Sequence, residues 1–187
     1  MKLVPDRITT LTAHEVCEAF RDAYLAIEGV YPSDYTLATL VAQSALETGQ
    51  WHAIHCYNFG NIKASEHYPG EYTMFRCNEL IAGKLEWFDP PHPQTWFRAY
   101  ETAAQGAHDY LAFLAVATHP PKPNRYALAW LAAKSGNPTQ FAHELHAAGY
   151  YTASERLYIK GEDANFMQFL PLASAVNQTE PPPAQVA

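Results

Sequence analysis

Between residues 56 and 100 the helical periodicity that governs the rest of the chain is lost, and this interruption limits the possible folds more than any other feature. Inside it, Gly, Pro, Asn and Asp punctuate short runs such as "EYTMFRC" and "LEWFD", the pattern of loops and a small hairpin sheet. Upstream, Thr12 with Glu15 forms a capping box, and Val16, Phe20, Tyr24 and Ile27 follow at helical spacing toward a stop near Gly29. A second helix starts at Ser33 or Asp34, carries Leu37, Leu40, Val41, Ala45 and Leu46, and stops at Gly49. Downstream, Thr102 caps a helix expected to run to about Thr118 on Ala103, Ala107, Tyr110, Leu111 and Leu114. "HPPKPN" breaks the chain, and helices are predicted over 126–134, 139–148 and 154 to about 169. The end, "NQTEPPPAQVA", is polar and Pro-rich, so a domain of 1–175 and a disordered tail of 176–187 are expected. The result is an α+β chain, mainly α, with a cleft between a helical lobe and a small β lobe where an extended polymer can lie.

Composition narrows the function classes. The 187 residues allow one ordinary core, and 48% hydrophobic against 17% charged residues supports a packed globule. A net charge of −7, with Lys63, Lys84, Lys122, Lys134 and Lys160 scattered singly, cannot neutralise a row of phosphates, so no nucleic-acid partner is expected. No apolar run approaches the roughly 18 residues of a membrane span. "MKLVPDRITTLTAHEV" puts Pro5, Asp6 and Arg7 where a signal peptide needs apolar residues, so synthesis in the cytoplasm without a signal peptide is expected. Cys17, Cys56 and Cys77 lack CxxC spacing and suit reduced thiols. His52 and His55, and His143 and His146, stand three apart, but "HELH" falls one residue short of the zinc-binding HExxH pattern. Surface histidines account for them, and neither metal nor other cofactor is expected.

Glu47 ends an otherwise apolar helical run. On a helix it shares a face with Leu40, Gln43 and Ser44. Burial against carbon raises a carboxyl pKa and makes a proton donor of the kind that glycoside hydrolysis requires. A solvated carboxylate in a last helical turn is the other meaning of the same local pattern.

Four blocks in order, "AQSALETGQW", "YNFGNIKA", "TWFRAYETAAQGAHDYLAFL" and "FAHELHAAGYYTA", resemble glycoside hydrolase family 73 over roughly residues 35 to 160. These are bacterial glucosaminidases that cleave peptidoglycan and belong to the lysozyme superfamily. The resemblance implies a lysozyme-like fold, cleavage of the β-1,4 bond after N-acetylglucosamine, and Glu47 as the catalytic acid. It also implies peptidoglycan glycan strands as partner. For a chain without an export signal it implies delivery by phage or secretion machinery, an immunity protein as a further partner, and action on the cell wall or periplasm after release or injection.

The family's second carboxylate lies in a β-lobe "T-x-E" strand. Its best match here is Glu79 in "RCNEL", without the Thr, while Glu71, Glu86 and Asp89 compete. Such a group activates water or steadies developing positive charge, unless the substrate's own N-acetyl group does that work. Asn58 and Asn61 suit turns and sugar hydrogen bonds alike. Trp96, Phe97 and Tyr100 stand just before a helix cap, where they either stack on sugars or fasten the two lobes together. Tyr126 and Tyr150 match tyrosines that line the family's cleft. A lytic transglycosylase, a muramidase and a non-catalytic wall-binding module are the rival readings. "FGNIKA" stands where transglycosylases carry a "GLMQ"-like block, and retention of Glu47 in its block argues against mere binding.

Overall fold

The computed structural model describes residues 1–52, 54–81, 83–116 and 124–179. Its helices are α1 (Ala13–Glu28), α2 (Asp34–Glu47), α3 (Ala103–Ala115), α4 (Ala127–Lys134), α5 (Pro138–Ala147) and α6 (Glu155–Gln178). The caps follow the local chemistry. Thr12 Oγ1 accepts from the Glu15 amide at 3.2 Å while the Glu15 carboxylate accepts from the Thr12 amide at 2.8 Å. Gly29, at φ 74°, closes α1 by returning its N–H to Leu25 O. Ser33 caps α2, Thr102 caps α3, and Asn137 caps α5 with Pro138 in the first turn.

Every residue of α2 from 36 to 45 is buried, because α1, α4, α5 and α6 surround it. A helix that is apolar on all sides needs such enclosure. α2 is therefore the axle of the helical lobe. Its neighbour α6 is longer than the periodicity predicts. It passes through Pro171 and on to Gln178 because Ala173 and Val176 are fully buried. Arg21 Nη1 donates to Val176 O at 2.9 Å, and Asn177 Nδ2 donates to Asp34 Oδ1 at 2.8 Å. Residues 176–179 thus pack as part of the domain, not as a tail. Residues 180–187 lie outside the described residues, as does most of the "HPPKPN" break. α3 stops short of the expected 118, with Val116 already extended.

The β lobe holds two small sheets. The hairpin β3 (Cys77–Ile81) and β4 (Lys84–Phe88) pairs Glu79 opposite Glu86. In the other sheet β2 (Glu71–Met74) lies between β5 (Trp96–Ala99), antiparallel, and β1 (Lys2–Leu3), parallel. β1 was not expected. Two residues carry no periodicity, and their pairing partner lies far along the chain. Phe59, from the loop after α2, plugs this region into the helical core, edge-on to Phe20 at 5.1 Å.

Candidate active site

Glu47 is the last residue of α2, so its side chain emerges where the buried axle meets the cleft. Tyr158 of α6 donates its hydroxyl proton to Glu47 Oε1 at 2.6 Å. Gln43, one turn earlier on α2, reaches the same oxygen with Nε2 at 3.3 Å and the Tyr158 hydroxyl at 3.1 Å. Desolvation raises the Glu47 pKa above its ordinary value, and the bonds from Tyr158 and Gln43 pull it part of the way back. The negative end of the α2 dipole works in the same direction as burial. The carboxyl keeps one edge toward the cleft and holds its proton to higher pH than a solvated glutamate. Tyr158 is fixed by stacking on Tyr151, centroids 3.6 Å apart, whose hydroxyl bonds Ala142 O. Burial and the neighbouring Glu47 push the Tyr158 phenol far up, so it remains a donor.

The loop after α2 holds this arrangement still. Asn61 Nδ2 donates to Glu47 O at 2.9 Å, tying the end of the helix to the cleft floor. Ser44 Oγ donates to Phe59 O and accepts from Trp51 Nε1. Asn58 is a purely architectural residue. It is buried, its Oδ1 accepts from the Ile62 amide, and its two amide hydrogens go to Ile62 O and Arg98 O. Nothing of it is left for a sugar. Gly60 is required by crowding, since a Cβ there would stand 2.6 Å from the Tyr110 ring and 2.9 Å from the Tyr150 hydroxyl. That hydroxyl bonds Gly60 O at 3.1 Å.

Both lobes line a cleft of about 880 Å³. Glu47, Asn61, Tyr126 and Tyr150 come from the helical side and Glu79 and Phe97 from the β side. Tyr126 and Tyr150 meet edge to face at 5.7 Å. Tyr100, expected among the substrate contacts, is not on this surface. Its hydroxyl bonds Asp109, which also takes Arg98 Nη1 at 2.7 Å, so it fastens β5 to α3 instead. Its backbone carbonyl accepts from Arg7 Nη2 at 2.9 Å beside a separate, smaller pocket.

Of the four carboxylates that competed for the second place, Glu79 shares the cleft with Glu47. It is paired with Lys63 Nζ at 2.8 Å. Glu71 pairs with Lys2, and Asp89 with Arg76. Glu86 is exposed on the neighbouring strand. His143 and His146 both turn to Glu155. Among the described residues no group of three metal-ligating side chains converges.

Sequence reasoning placed Gln43 on the Glu47 face but missed Tyr158 altogether, along with a stack of His55 on Phe75 on Phe97 at 3.8 and 4.1 Å beside the cleft. The i, i+4 pair Tyr158 and Glu162, two polar residues among the buried positions of α6, was the available signal.

A mainly helical lobe and a small β lobe, meeting at a cleft with a sheltered carboxyl on its floor, define a lysozyme-like glycoside hydrolase. The family model described as Glucosaminidase, mannosyl-glycoprotein endo-beta-N-acetylglucosaminidase, matches residues 23–169, and the chain belongs to that family. Among solved structures, a peptidoglycan hydrolase mutant from Sphingomonas sp. A1 is 25% identical, with a TM-score of 0.56 over 84% of this chain and 98% of that one. The catalytic domain of the autolysin Auto from Listeria monocytogenes is 18% identical, with a TM-score of 0.57 over 89% of each chain. A glycoside hydrolase domain of FlgJ from Salmonella typhimurium is 22% identical, with a TM-score of 0.52 over 84% of this chain and 97% of that one. The last two show the fold alone. No curated protein matches the chain.

Proposed function

We propose that this enzyme hydrolyses the β-1,4 bond after N-acetylglucosamine in peptidoglycan glycan strands, with Glu47 as general acid. The observation that carries this reading is the Glu47 carboxyl, sheltered enough to hold a proton and open to the cleft on one edge. As the glycosidic bond stretches, Glu47 passes its proton to the leaving oxygen. The carboxylate that forms is met by the Tyr158 hydroxyl and the Gln43 amide, bonds that strengthen as charge develops on their acceptor. Glu79, on the other wall, activates the attacking water or steadies the oxocarbenium-like charge, and the substrate's N-acetyl group is the alternative agent for that step. Tyr126 and Tyr150 offer aromatic surface to sugar rings, while the Phe97 ring is taken up by Phe75 and Lys63. Asn61, its amide committed to Glu47 O, keeps Oδ1 for a hydroxyl or acetamide N–H.

No helix among the described residues is long and apolar enough to cross a membrane. Because peptidoglycan lies outside the cytoplasm, we place the enzyme's action at the cell wall or periplasm after release or injection. Phage or secretion machinery would deliver it, and an immunity protein would protect the producing cell.

The test is the chemistry of the products. Purified sacculi are digested, reduced with borohydride and the fragments weighed. Glucosaminitol ends are expected. Muramitol ends would make the enzyme a muramidase, and anhydromuramic ends would rule out hydrolysis.

A further inference from the structure

Behind Glu47 lies a second carboxyl that the reaction does not use. Glu162 of α6 is 0% exposed, and neither of its oxygens has a hydrogen-bond partner among the described residues. Two other buried atoms nearby share that condition, Gln43 Oε1 and the Tyr110 hydroxyl. Their position follows from the antiparallel packing of α6 on α2. Tyr158 bonds Gln43 and Glu47, Gly161 abuts Leu46, and Asn165 Nδ2 bonds Ala42 O. These contacts register Glu162, between Gly161 and Asn165, against the turn of α2 that carries Ala42, Gln43 and Leu46.

An ionised Glu162 would leave this pocket with one unpartnered donor, the Tyr110 hydroxyl, for three acceptor oxygens, the two of the carboxylate and Gln43 Oε1. Buried charge without a partner is among the costliest arrangements in a protein. None of the groups that face Glu162 is a cation. They are Glu47 from α2, Tyr110 from α3, Tyr151 ahead of α6, and Tyr158 and Asp163 on α6 itself. α5 directs His143 and His146 to Glu155, and α1 directs Arg21 to Val176 O near the far end of α6, so no cation pairs with Glu162 among the described residues. Burial, then Asp163 and Glu47, push its pKa well above the ordinary carboxyl value. With its proton on, Glu162 becomes the donor that Gln43 Oε1 lacks.

We propose that Glu162 is a positioning residue for the catalytic acid: as a neutral carboxylic acid it donates to Gln43 Oε1, directly or through one enclosed water, and so holds the Gln43 amide with its N–H groups toward Glu47 and Tyr158. A glutamine amide can turn over and present either end. Filling the Oε1 end chooses the orientation in which Nε2 supports the carboxylate that forms on Glu47. This rests on Glu47 being the general acid.

The test compares Glu162→Gln, which keeps a donor and the shape, with Glu162→Met, which keeps the bulk and loses the donor. Glu162→Met, shown folded by circular dichroism, should lose roughly tenfold in kcat at little change in KM, a fraction of the about 10²–10⁴ that a general acid supplies. The basic limb of its pH profile should move to higher pH, because Glu47 loses a bond that favours its ionised form. Glu162→Gln should restore both rate and profile. Infrared difference spectra of wild type against Glu162→Gln at neutral pH should show the carbonyl band of a protonated acid lost on substitution. That readout stands even if the Met variant does not fold. Wild-type kinetics in folded Glu162→Met, or no such band, would overturn the proposal. A full rate in Glu47→Gln would instead overturn the assignment of the acid while leaving the infrared result to decide the state of Glu162.

Discussion

Tyr158 and Glu47, 111 residues apart in sequence, share a 2.6 Å hydrogen bond at the cleft floor in which the phenol donates and the carboxyl accepts. Replacing Tyr158 by Phe keeps the ring stacked on Tyr151 and removes that donor. The bond favours the ionised form of Glu47, so its loss raises the Glu47 pKa further. The pH profile of kcat on labelled sacculi should show the basic limb displaced upward and the plateau lowered. An unmoved limb would mean that Tyr158 does not tune the acid.

Glu47→Gln removes the proton while keeping the shape. Turnover should fall by about two to four orders of magnitude while sacculus binding survives. Its stability should respond in the opposite sense. The folded pKa of Glu47 lies above the ordinary 4.5, so the folded state retains a proton that the unfolded state releases. Wild-type stability therefore declines as pH rises from about the unfolded pKa to the raised folded value. The Gln variant lacks this decline. Thermal melts should place it above wild type at neutral pH, and the gap should close toward acid pH, where Glu47 is protonated in both states.

Glu79→Gln should slow turnover, strongly if the carboxylate activates water and mildly if the substrate's acetamide does so. Glu86→Gln and Asp89→Asn, which remove carboxylates off the cleft wall, should remain near wild type. Steady-state rates on one sacculus preparation separate these outcomes. A slow Glu86 or Asp89 variant beside a normal Glu79 variant would move the partner along the β lobe.

Gly60→Ala would push a methyl group into the Tyr110 ring and the Tyr150 hydroxyl. Overpacking of this kind costs about 1–3 kcal/mol. Urea unfolding should show the loss, and activity should fall too because Tyr150 is displaced from the cleft wall.

Two truncations test how far the domain extends along α6. Ending the chain after Ala175 removes the buried Val176, the carbonyl that Arg21 binds and the Asn177 bond to Asp34. Burial of Val176 alone is worth about 1.5–3 kcal/mol, so the melting temperature should drop by several degrees. Ending it after Thr179 keeps all of these contacts and should leave the melt unchanged.

The caps at Thr12, Ser33 and Thr102, the helical spacing around them, and the loss of that spacing between 56 and 100 were legible from the chain alone, because each depends on neighbours within one or two turns. Glu47 stood out for the same reason: a carboxylate closing an apolar run is a local contradiction. The length of α6 was not legible. Pro171 and the polar "NQTE" end it by any local rule, and packing on α1 and α2 overrides that rule. The two roles left open for Asn58, turn or ligand, were equal in sequence and were separated only when Arg98 O, forty residues away, took its second amide hydrogen. Tyr100 was likewise claimed by Asp109. Sequence determined which residues carry protonable and aromatic groups and which segments are helical. Tertiary structure decided which of those groups share a dry space, because the desolvation that raises the Glu47 pKa and the hydrogen-bond commitment that makes Asn58 a strut depend on atoms that distant parts of the chain bring together.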